Sequence, residues 1–225
     1  MARRNRRTEI INAARQLFYA QGYENTSTRE IIRIAGVSFG AFYHHFESKE
    51  ALLMVVIDPI LAELRAATAR LLTEPALTAV SRYQRLVAAD NDFRVTHSQP
   101  LEHIWFVMQS DDHLRLVHYL SQKGEEIYLP ALNEIIQQGV DDGAFDVKFV
   151  PQTANLLLSI CRATRVAIAK IWQNHLQFDD PAAAVEQELD AAQIAIDRLV
   201  GAALGELLLL DRQNVLDYFA TLKPT

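Results

Sequence analysis

Three features of the 225-residue sequence predict an all-α fold. Helix formers dominate, Ala and Leu above all. Apolar residues recur at three- and four-residue spacing, and runs that alternate apolar with polar residues are hard to find. Half of the residues are hydrophobic, enough in a chain of this length to bury a real core as one large or two small domains.

The chain opens on Arg3, Arg4, Arg6 and Arg7 with no apolar anchor among them. Such a cluster is either a solubilising tail or an arm that contacts phosphates or a narrow minor groove. From Thr8 a helical pattern carries Ile10, Ile11, Ala14, Leu17 and Phe18 on one face and ends at Gly22. Ser27 with Glu30 three residues later forms a capping box, so the next helix should start at Thr28. Ile31, Ile32, Ile34 and Ala35 give it an apolar face. Gly36 can adopt the left-handed conformation that stops a helix in one residue, with Val37 plugging back toward the core. Ser38 then caps a short helix, Phe39 to Phe46. Two short helices joined by a glycine-started turn form a helix-turn-helix, whose second helix enters the DNA major groove. The helix from Thr8 is the packing partner that such a unit needs.

Ser48 caps a longer helix through about Leu72, with Lys49 and Glu50 in its first turn and Pro59 expected to kink or split it. Pro75 can open a helix through about Ala89 bearing Leu77, Val80, Tyr83, Leu86 and Val87, and residues 90–97 read as a loop. Pro100 begins a short helix through Met108 with His103, Ile104, Trp105 and Phe106. Asp111 or Asp112 starts a longer one through Gln138, irregular at Pro130, and Gly139 to Phe145 reads as a turn. Two long helices close the chain, from about Pro151 to His175 and from about Pro181 to Leu210, with a final turn through Leu222. They are apolar over more than one face. Small residues recur in them, including Ala163, Ala167, Ala191, Ala195, Gly201, Ala202 and Gly205, which suits close helix approach. A helix apolar nearly all round is deeply buried or shared with another subunit.

The formal charge is −6, and it is unevenly spread. Residues 1–50 hold eight Lys or Arg against five Asp or Glu, while the remainder holds 14 against 23. A basic N-terminal module on an acidic body suits a polyanionic partner at one end. A single cysteine, Cys161, excludes an internal disulfide and a cysteine-rich metal site, and suits a reducing cytosol. Polar Thr8 and Glu9 follow the basic start where a signal peptide needs an apolar region. No run reaches the eighteen or so apolar residues of a membrane span. The expectation is a soluble, cytoplasmic protein.

Enzymatic chemistry finds little support. Gly36-Val37-Ser38-Phe39-Gly40 formally fits the G-x-S-x-G nucleophile elbow, but that motif needs a strand feeding a helix, and here a capped helix feeds it. No phosphate-cradling glycine loop is present. His44 and His45 point about 100° apart on a helix, with no third ligand at a useful spacing, and His97, His103, His113 and His118 show no metal pattern. Neither an enzyme, a cofactor nor a metal is expected.

Residues 8–53, TEIINAARQLFYAQGYENTSTREIIRIAGVSFGAFYHHFESKEALL, resemble the DNA-binding domain of TetR-family transcriptional regulators. The resemblance rests on Leu17-Phe18, Gly22-Tyr23, Thr26-Ser27, Ile31 and Ala35-Gly36-Val37-Ser38. It continues through Gly40, Tyr43, His45-Phe46, Ser48-Lys49 and Leu52. It covers about a fifth of the chain, and LPALNEIIQQGVDDGAF adds a weaker match in the body. The resemblance implies a helix-turn-helix domain over residues 1–50 and a helical ligand-binding and dimerisation domain over 51–225. Tyr43, Lys49 and His45 or its neighbour His44 would hold phosphates, and Thr28 and Arg29 would approach the backbone or an adjacent base. Ser38, Phe39, Gly40 and Ala41 would face base edges. Phe39 departs from the polar or basic residue often found there; a phenyl ring can pack on a thymine methyl but cannot hydrogen-bond a base. Ile32 replaces a usual small residue, which implies local repacking.

The same resemblance implies a homodimer through the last two helices and a small hydrophobic ligand among the middle ones. Candidate lining residues are Tyr83, Phe93, His103, Trp105, Phe106, Met108, Tyr119 and Trp172, with Arg162 and Arg165. Large groups at helical spacing are also plain core, so the set describes either a cavity or a filled interior. Arg162 and Arg165, near an otherwise apolar helix, suit an anionic ligand group or dimer ion pairs. The implied function is a ligand-responsive repressor that binds a near-palindromic operator in double-stranded DNA. The rival is a ligand-binding or protein-interaction module that keeps the helix-turn-helix as scaffold.

Overall fold

The computed structural model of the protein describes residues 5–74, 77–97, 114–207 and 212, and every regular element among them is helical. In chain order these are α1 (Arg6–Gln21), α2 (Thr28–Ala35), α3 (Phe39–His45), α4 (Lys49–Leu72), α5 (Ala79–Thr96), α6 (Leu114–Asp141), α7 (Val150–Gln173) and α8 (Pro181–Val200). A 3₁₀ turn, His175–Gln177, follows α7. The all-α class stands. The helix expected over Pro100–Met108 and the final turn through Leu222 lie outside the described residues.

Local chemistry starts and stops these helices. The Ser27, Ser38 and Ser48 hydroxyls accept from the Glu30, Ala41 and Ala51 amides at 3.2, 3.2 and 3.0 Å, which satisfies a donor otherwise orphaned at each N-terminus. The Glu30 carboxylate accepts from Gln21 Nε2 at 3.0 Å, tying α1 to α2. α1 starts before Thr8 because the Asn5 side chain accepts from the Thr8 amide. Gly36 closes α2 at φ 62°, where a Cβ would be strained. Its own amide and that of Val37 bond back to the Arg33 and Ile32 carbonyls.

Of the two outcomes expected at Pro59, a kink or a split, the split does not occur, and Pro130 lies inside one helix as expected; the structure corrects two other boundaries. The stretch 90–97, read as a loop, completes α5 as far as Thr96. Asp90 and Asn91 suggest a loop by propensity, but the Asp90 carboxylate is bonded to Arg165 and Tyr128, and His97 Nε2 lies 3.2 Å from Glu63. Finally, α8 ends at Val200 instead of near Leu210. Gly201 takes φ 71° there, and a Cβ on it would sit 2.9 Å from Asp146 Cβ. Gly201 therefore ends the helix against residue 146, whose amide donates to the Val200 carbonyl at 2.8 Å. The fully buried Asp197 carboxylate holds the turn that follows, accepting from the Gly205 and Leu207 amides at 2.7 and 3.1 Å and from Gln193 Nε2.

The described residues divide into two compact units, Met1–Leu64 with Phe93–Lys123 and Arg65–Asp92 with Gly124–Thr225. α4, α5 and α6 each contribute one part to either unit. In the first, Ile10, Ala14, Phe18, Ile31, Phe42 and Leu52 form a shared core in which α1 covers the helix-turn-helix. In the second, Tyr83 of α5, Leu132 and Ile135 of α6, Leu157 of α7, and Val185 and Ile196 of α8 are buried together. Burial of this kind is the main favourable term in each unit, at about 25 cal/mol for every Å² of apolar surface removed from water.

Candidate nucleic-acid interface and buried cavity

α3 has seven residues, too short to be stable alone, and its anchor is Phe42, fully buried, with Phe46 buried just beyond its end. The residues flanking that anchor turn outward. Phe39 and Tyr43, four residues apart, are 59% and 46% exposed, and their ring centroids lie 4.7 Å apart. Ser38, Gly40, His44 and His45 are exposed as well, and Ala41 is half-buried. A Cβ built on Gly40 would meet nothing within 4 Å. Phe46 is thus a core residue, whereas Tyr43 is a surface aromatic.

At the start of α2, Arg29 is exposed and Thr28 half-buried. Arg6 and Arg7 are exposed, with the Arg7 guanidinium 5.6 Å from the Phe46 ring centroid. Arg3 and Arg4 lie outside the described residues. These groups and α3 give the first unit exposed cations, imidazoles and aromatic rings.

Lys49 has a role the sequence did not suggest. Its Nζ donates to the Tyr23 and Thr26 carbonyls at 2.8 and 3.0 Å and lies 4.0 Å from the centroid of the Tyr23 ring. The first residue of α4 thus closes the loop between α1 and α2, whose Thr26 hydroxyl donates to the Gly22 carbonyl at 2.7 Å. Burial lowers the Lys49 pKa against the opposing pull of Glu24. Burial also pushes the Tyr23 phenol up to about 12, helped by Glu50 and Glu24. The G-x-S-x-G string is the turn between α2 and α3 followed by the first two residues of α3, with Ser38 engaged as the helix cap.

In the second unit α5, α6 and α7 line a small, partly open cavity of about 30 Å³. Leu86, Val87, Leu132, Leu157 and Leu158 supply its apolar wall, and Tyr83, Asp90, Tyr128, Cys161 and Arg165 its polar one. The Arg165 guanidinium donates to Asp90 at 2.5 Å, and the Tyr128 hydroxyl donates to the same carboxylate. Tyr83 is 2% exposed, and its hydroxyl has no nitrogen or oxygen partner; only the Cys161 thiol, a weak hydrogen-bonding group, stands beside it. Burial drives the Tyr83 phenol well up, with the Cys161 neighbour adding and Arg165 opposing. Burial raises the Cys161 thiol too, so it is a neutral wall group.

Of the ligand candidates read from sequence, Tyr83 and Arg165 line this cavity. Arg162 faces outward on α7 and pairs with Glu125 at 3.6 Å, and Trp172 packs beside the core without lining the cavity. Tyr119 belongs to the first unit, where its hydroxyl bonds Asp58. His103, Trp105, Phe106 and Met108 lie outside the described residues. The sequence reading missed Asp90, Tyr128 and Cys161. The signal for Asp90 was spacing: it stands seven residues after Tyr83, with Leu86 and Val87 between them, on one face of α5.

Residues 10–56 match the profile described as "Bacterial regulatory proteins, tetR family". The regulator UidR of Escherichia coli K12 is 45% identical over 51 residues, 23% of this chain. That match spans about a quarter, 26%, of UidR's own length. The repressor KstR2 of Rhodococcus jostii is 27% identical over 157 residues, covering 62% of this chain and 68% of the repressor. Among solved structures, the complex of SmeT with triclosan superposes with a TM-score of 0.54 at 20% identity, covering 83% of this chain and 90% of that one, a likeness of fold. SmeT itself is described as the repressor of the Stenotrophomonas maltophilia multidrug efflux pump SmeDEF. Family profile, three-helix unit and exposed second helix coincide on the same residues, and it is residues 10–56 that are similar to the tetR family of bacterial regulatory proteins.

Proposed function

We propose that the protein is a ligand-responsive transcriptional repressor that binds a near-palindromic operator as a homodimer. The observation that carries this reading is α3 itself. Phe42 fixes the helix from within, while Phe39, Gly40 and Tyr43 form an outward face that the chain leaves open. In the proposal, residues 1–50 read DNA and residues 51–225 sense and dimerise. Ser38, Phe39, Gly40 and Ala41 meet base edges. Tyr43, His44 or His45, and the remaining N–H of Lys49 meet phosphates, with Thr28 and Arg29 at the adjoining backbone.

Dimerisation through α7 and α8 is supported by their outward faces. Leu156 and Ile194 are 54% and 42% exposed, and small Ala163, Ala191 and Ala195 are exposed with them. Two α3 helices must then fit half-sites roughly 34–36 Å apart or a multiple of it. A ligand entering beside Tyr83 would press on α5, whose Arg82 donates to the Leu72 and Glu74 carbonyls at 3.1 Å each and so grips the end of α4. α4 begins at Lys49, on the loop that precedes α2. A ligand that favours another setting of α4 changes the spacing of the α3 pair and lowers DNA affinity by population shift. A cavity of about 30 Å³ must open toward the several hundred Å³ typical of ligand sites. The proposed setting is the bacterial cytoplasm.

Selection of bound fragments from the whole genome tests the DNA-reading half. The expected product is a short inverted repeat near a few genes, footprinted by full-length protein at a stated salt concentration. Binding without sequence preference would leave the helix-turn-helix as scaffold. Operator affinity that stays the same under saturating ligand would remove the sensing half.

A further inference from the structure

Five buried side-chain atoms among the described residues lack a nitrogen or oxygen hydrogen-bond partner, and two of them, Tyr83 Oη with only the Cys161 thiol beside it and Arg165 Nε, belong to residues that line the cavity between α5, α6 and α7. An orphaned polar group in a protein interior is costly, and each of these two groups can donate. We propose that the cavity takes an uncharged, mainly apolar ligand with a single oxygen acceptor of the ketone, ester or ether type, which receives hydrogen bonds from Tyr83 and Arg165. This deepens the sensing half of the proposed function and rests on it.

The charge of the site selects against ions. Arg165 is the cation of the cavity, and its guanidinium is 2.5 Å from Asp90, whose side chain is 3% exposed. The pair is neutral overall. A ligand carboxylate would be a second anion competing with the buried Asp90 for one cation, and the hydration it loses there would be only partly returned. A ligand amine meets the opposite difficulty, because Asp90 already accepts from both Arg165 and the Tyr128 hydroxyl. A neutral oxygen needs no countercharge and can use Arg165 Nε–H while the other end of the guanidinium keeps Asp90. The rest of the wall, Leu86, Val87, Leu132, Leu157 and Leu158, asks for hydrocarbon. Of the two roles the sequence leaves open for Arg165, an anionic ligand group or a dimer ion pair, neither is the one seen: the guanidinium pairs with Asp90 of its own unit.

A matched set of probes decides between these chemistries: butylbenzene, butyrophenone and 4-phenylbutyrate, titrated against the full-length chain by calorimetry and thermal melting. Butyrophenone is expected to bind about tenfold more tightly than butylbenzene, the worth of a hydrogen bond made to an otherwise orphaned donor, and 4-phenylbutyrate more weakly than the ketone. Tyr83→Phe should bring butyrophenone to the level of butylbenzene while leaving the hydrocarbon unchanged. If butylbenzene and butyrophenone bind the wild type equally, or 4-phenylbutyrate binds best, the acceptor proposal is wrong and the cavity remains a ligand site of another class. If none of the three binds or raises the melting temperature, the cavity is closed core and the sensing reading falls with the proposal. The wild-type series gives its answer even if the Tyr83 variant fails to fold.

Discussion

Lys49 Nζ donates to the Tyr23 carbonyl at 2.8 Å while standing 4.0 Å from the centroid of the Tyr23 ring, so one residue receives the lysine both as base and as face. With the Thr26 carbonyl at 3.0 Å, two of the three ammonium donors are committed inside the protein. Replacing Lys49 by Met keeps the stem and removes the clasp. The variant is expected to lose about 1–3 kcal/mol of stability in urea titrations without DNA, from charge-assisted hydrogen bonds and the carbonyls left behind. The remaining donor is proposed to reach a phosphate, so the salt dependence of DNA binding should also fall by about one unit. A variant of unchanged stability would remove the clasp, and an unchanged salt slope would remove the phosphate contact.

The Tyr23 phenol gives the fold an alkaline limit. Its folded pKa is pushed up from 10.0 to about 12, chiefly by burial. Between those values the unfolded chain loses its phenolic proton and the native state keeps it. The native state then binds more protons, and stability falls as pH rises. The contribution is whole below about pH 10 and is lost as pH climbs through about 12. Denaturant midpoints measured from pH 9 to 12 should fall less steeply for Tyr23→Phe than for the wild type. Tyr83, raised in the same direction, keeps part of the fall in the variant. Equal slopes would show that Tyr23 titrates normally.

Much of the reading unit was legible because its chemistry is local. Ser27, Ser38 and Ser48 cap where their spacing said they would, and Gly36 turns left-handed. The errors came from partners distant in sequence. Asp90 reads as a loop residue until Arg165, 75 residues later, accepts it into a helix. Gly201 reads as a packing residue until Asp146 proves to lie against it. For Lys49, nothing in the residue type separates a cation facing solvent from one turned back on its own chain. Size and aromaticity mark candidate ligand groups in a sequence, but core residues share both properties. The cavity is instead set by the order of side chains along α5, which helical phase reveals only after the helix has been drawn to its true length.

Phe39 and Gly40 allow two faces of DNA recognition to be separated. Phe39→Ala removes an exposed ring with little cost to the fold, and it is expected to relax preference at one thymine. Uracil substitution across the selected site locates that methyl, and no sensitive position would mean no methyl contact. Gly40→Ala meets no atom of the protein within 4 Å. It should stabilise α3 by about 0.5–1 kcal/mol through helix propensity alone. Any loss of DNA affinity in that variant reports the DNA surface pressing on the added methyl, and such a loss is expected. Unchanged affinity would place Gly40 away from the groove floor.

Arg82 and Arg85 offer an internal comparison at the end of α4. Arg82 is 9% exposed, and its guanidinium donates to the Leu72 and Glu74 carbonyls at 3.1 Å each, with Glu134 at 3.5 Å. Arg85 pairs with the Glu74 carboxylate in a contact whose side chains are 53% and 42% exposed. The first replaces the missing amide donors of a helix C-terminus with a fixed cation, which the helix dipole also favours. The second is a surface ion pair that water screens. Arg82→Met should therefore cost about 2 kcal/mol and Arg85→Met less than about 0.5 kcal/mol. Hydrogen exchange should quicken at the last turn of α4 in the Arg82 variant and stay near wild type in the other. Since α4 is proposed to set the spacing of the paired α3 helices, Arg82→Met should also weaken operator binding without touching DNA. Equal losses in the two variants would show that the buried guanidinium does no more for α4 than an exposed one.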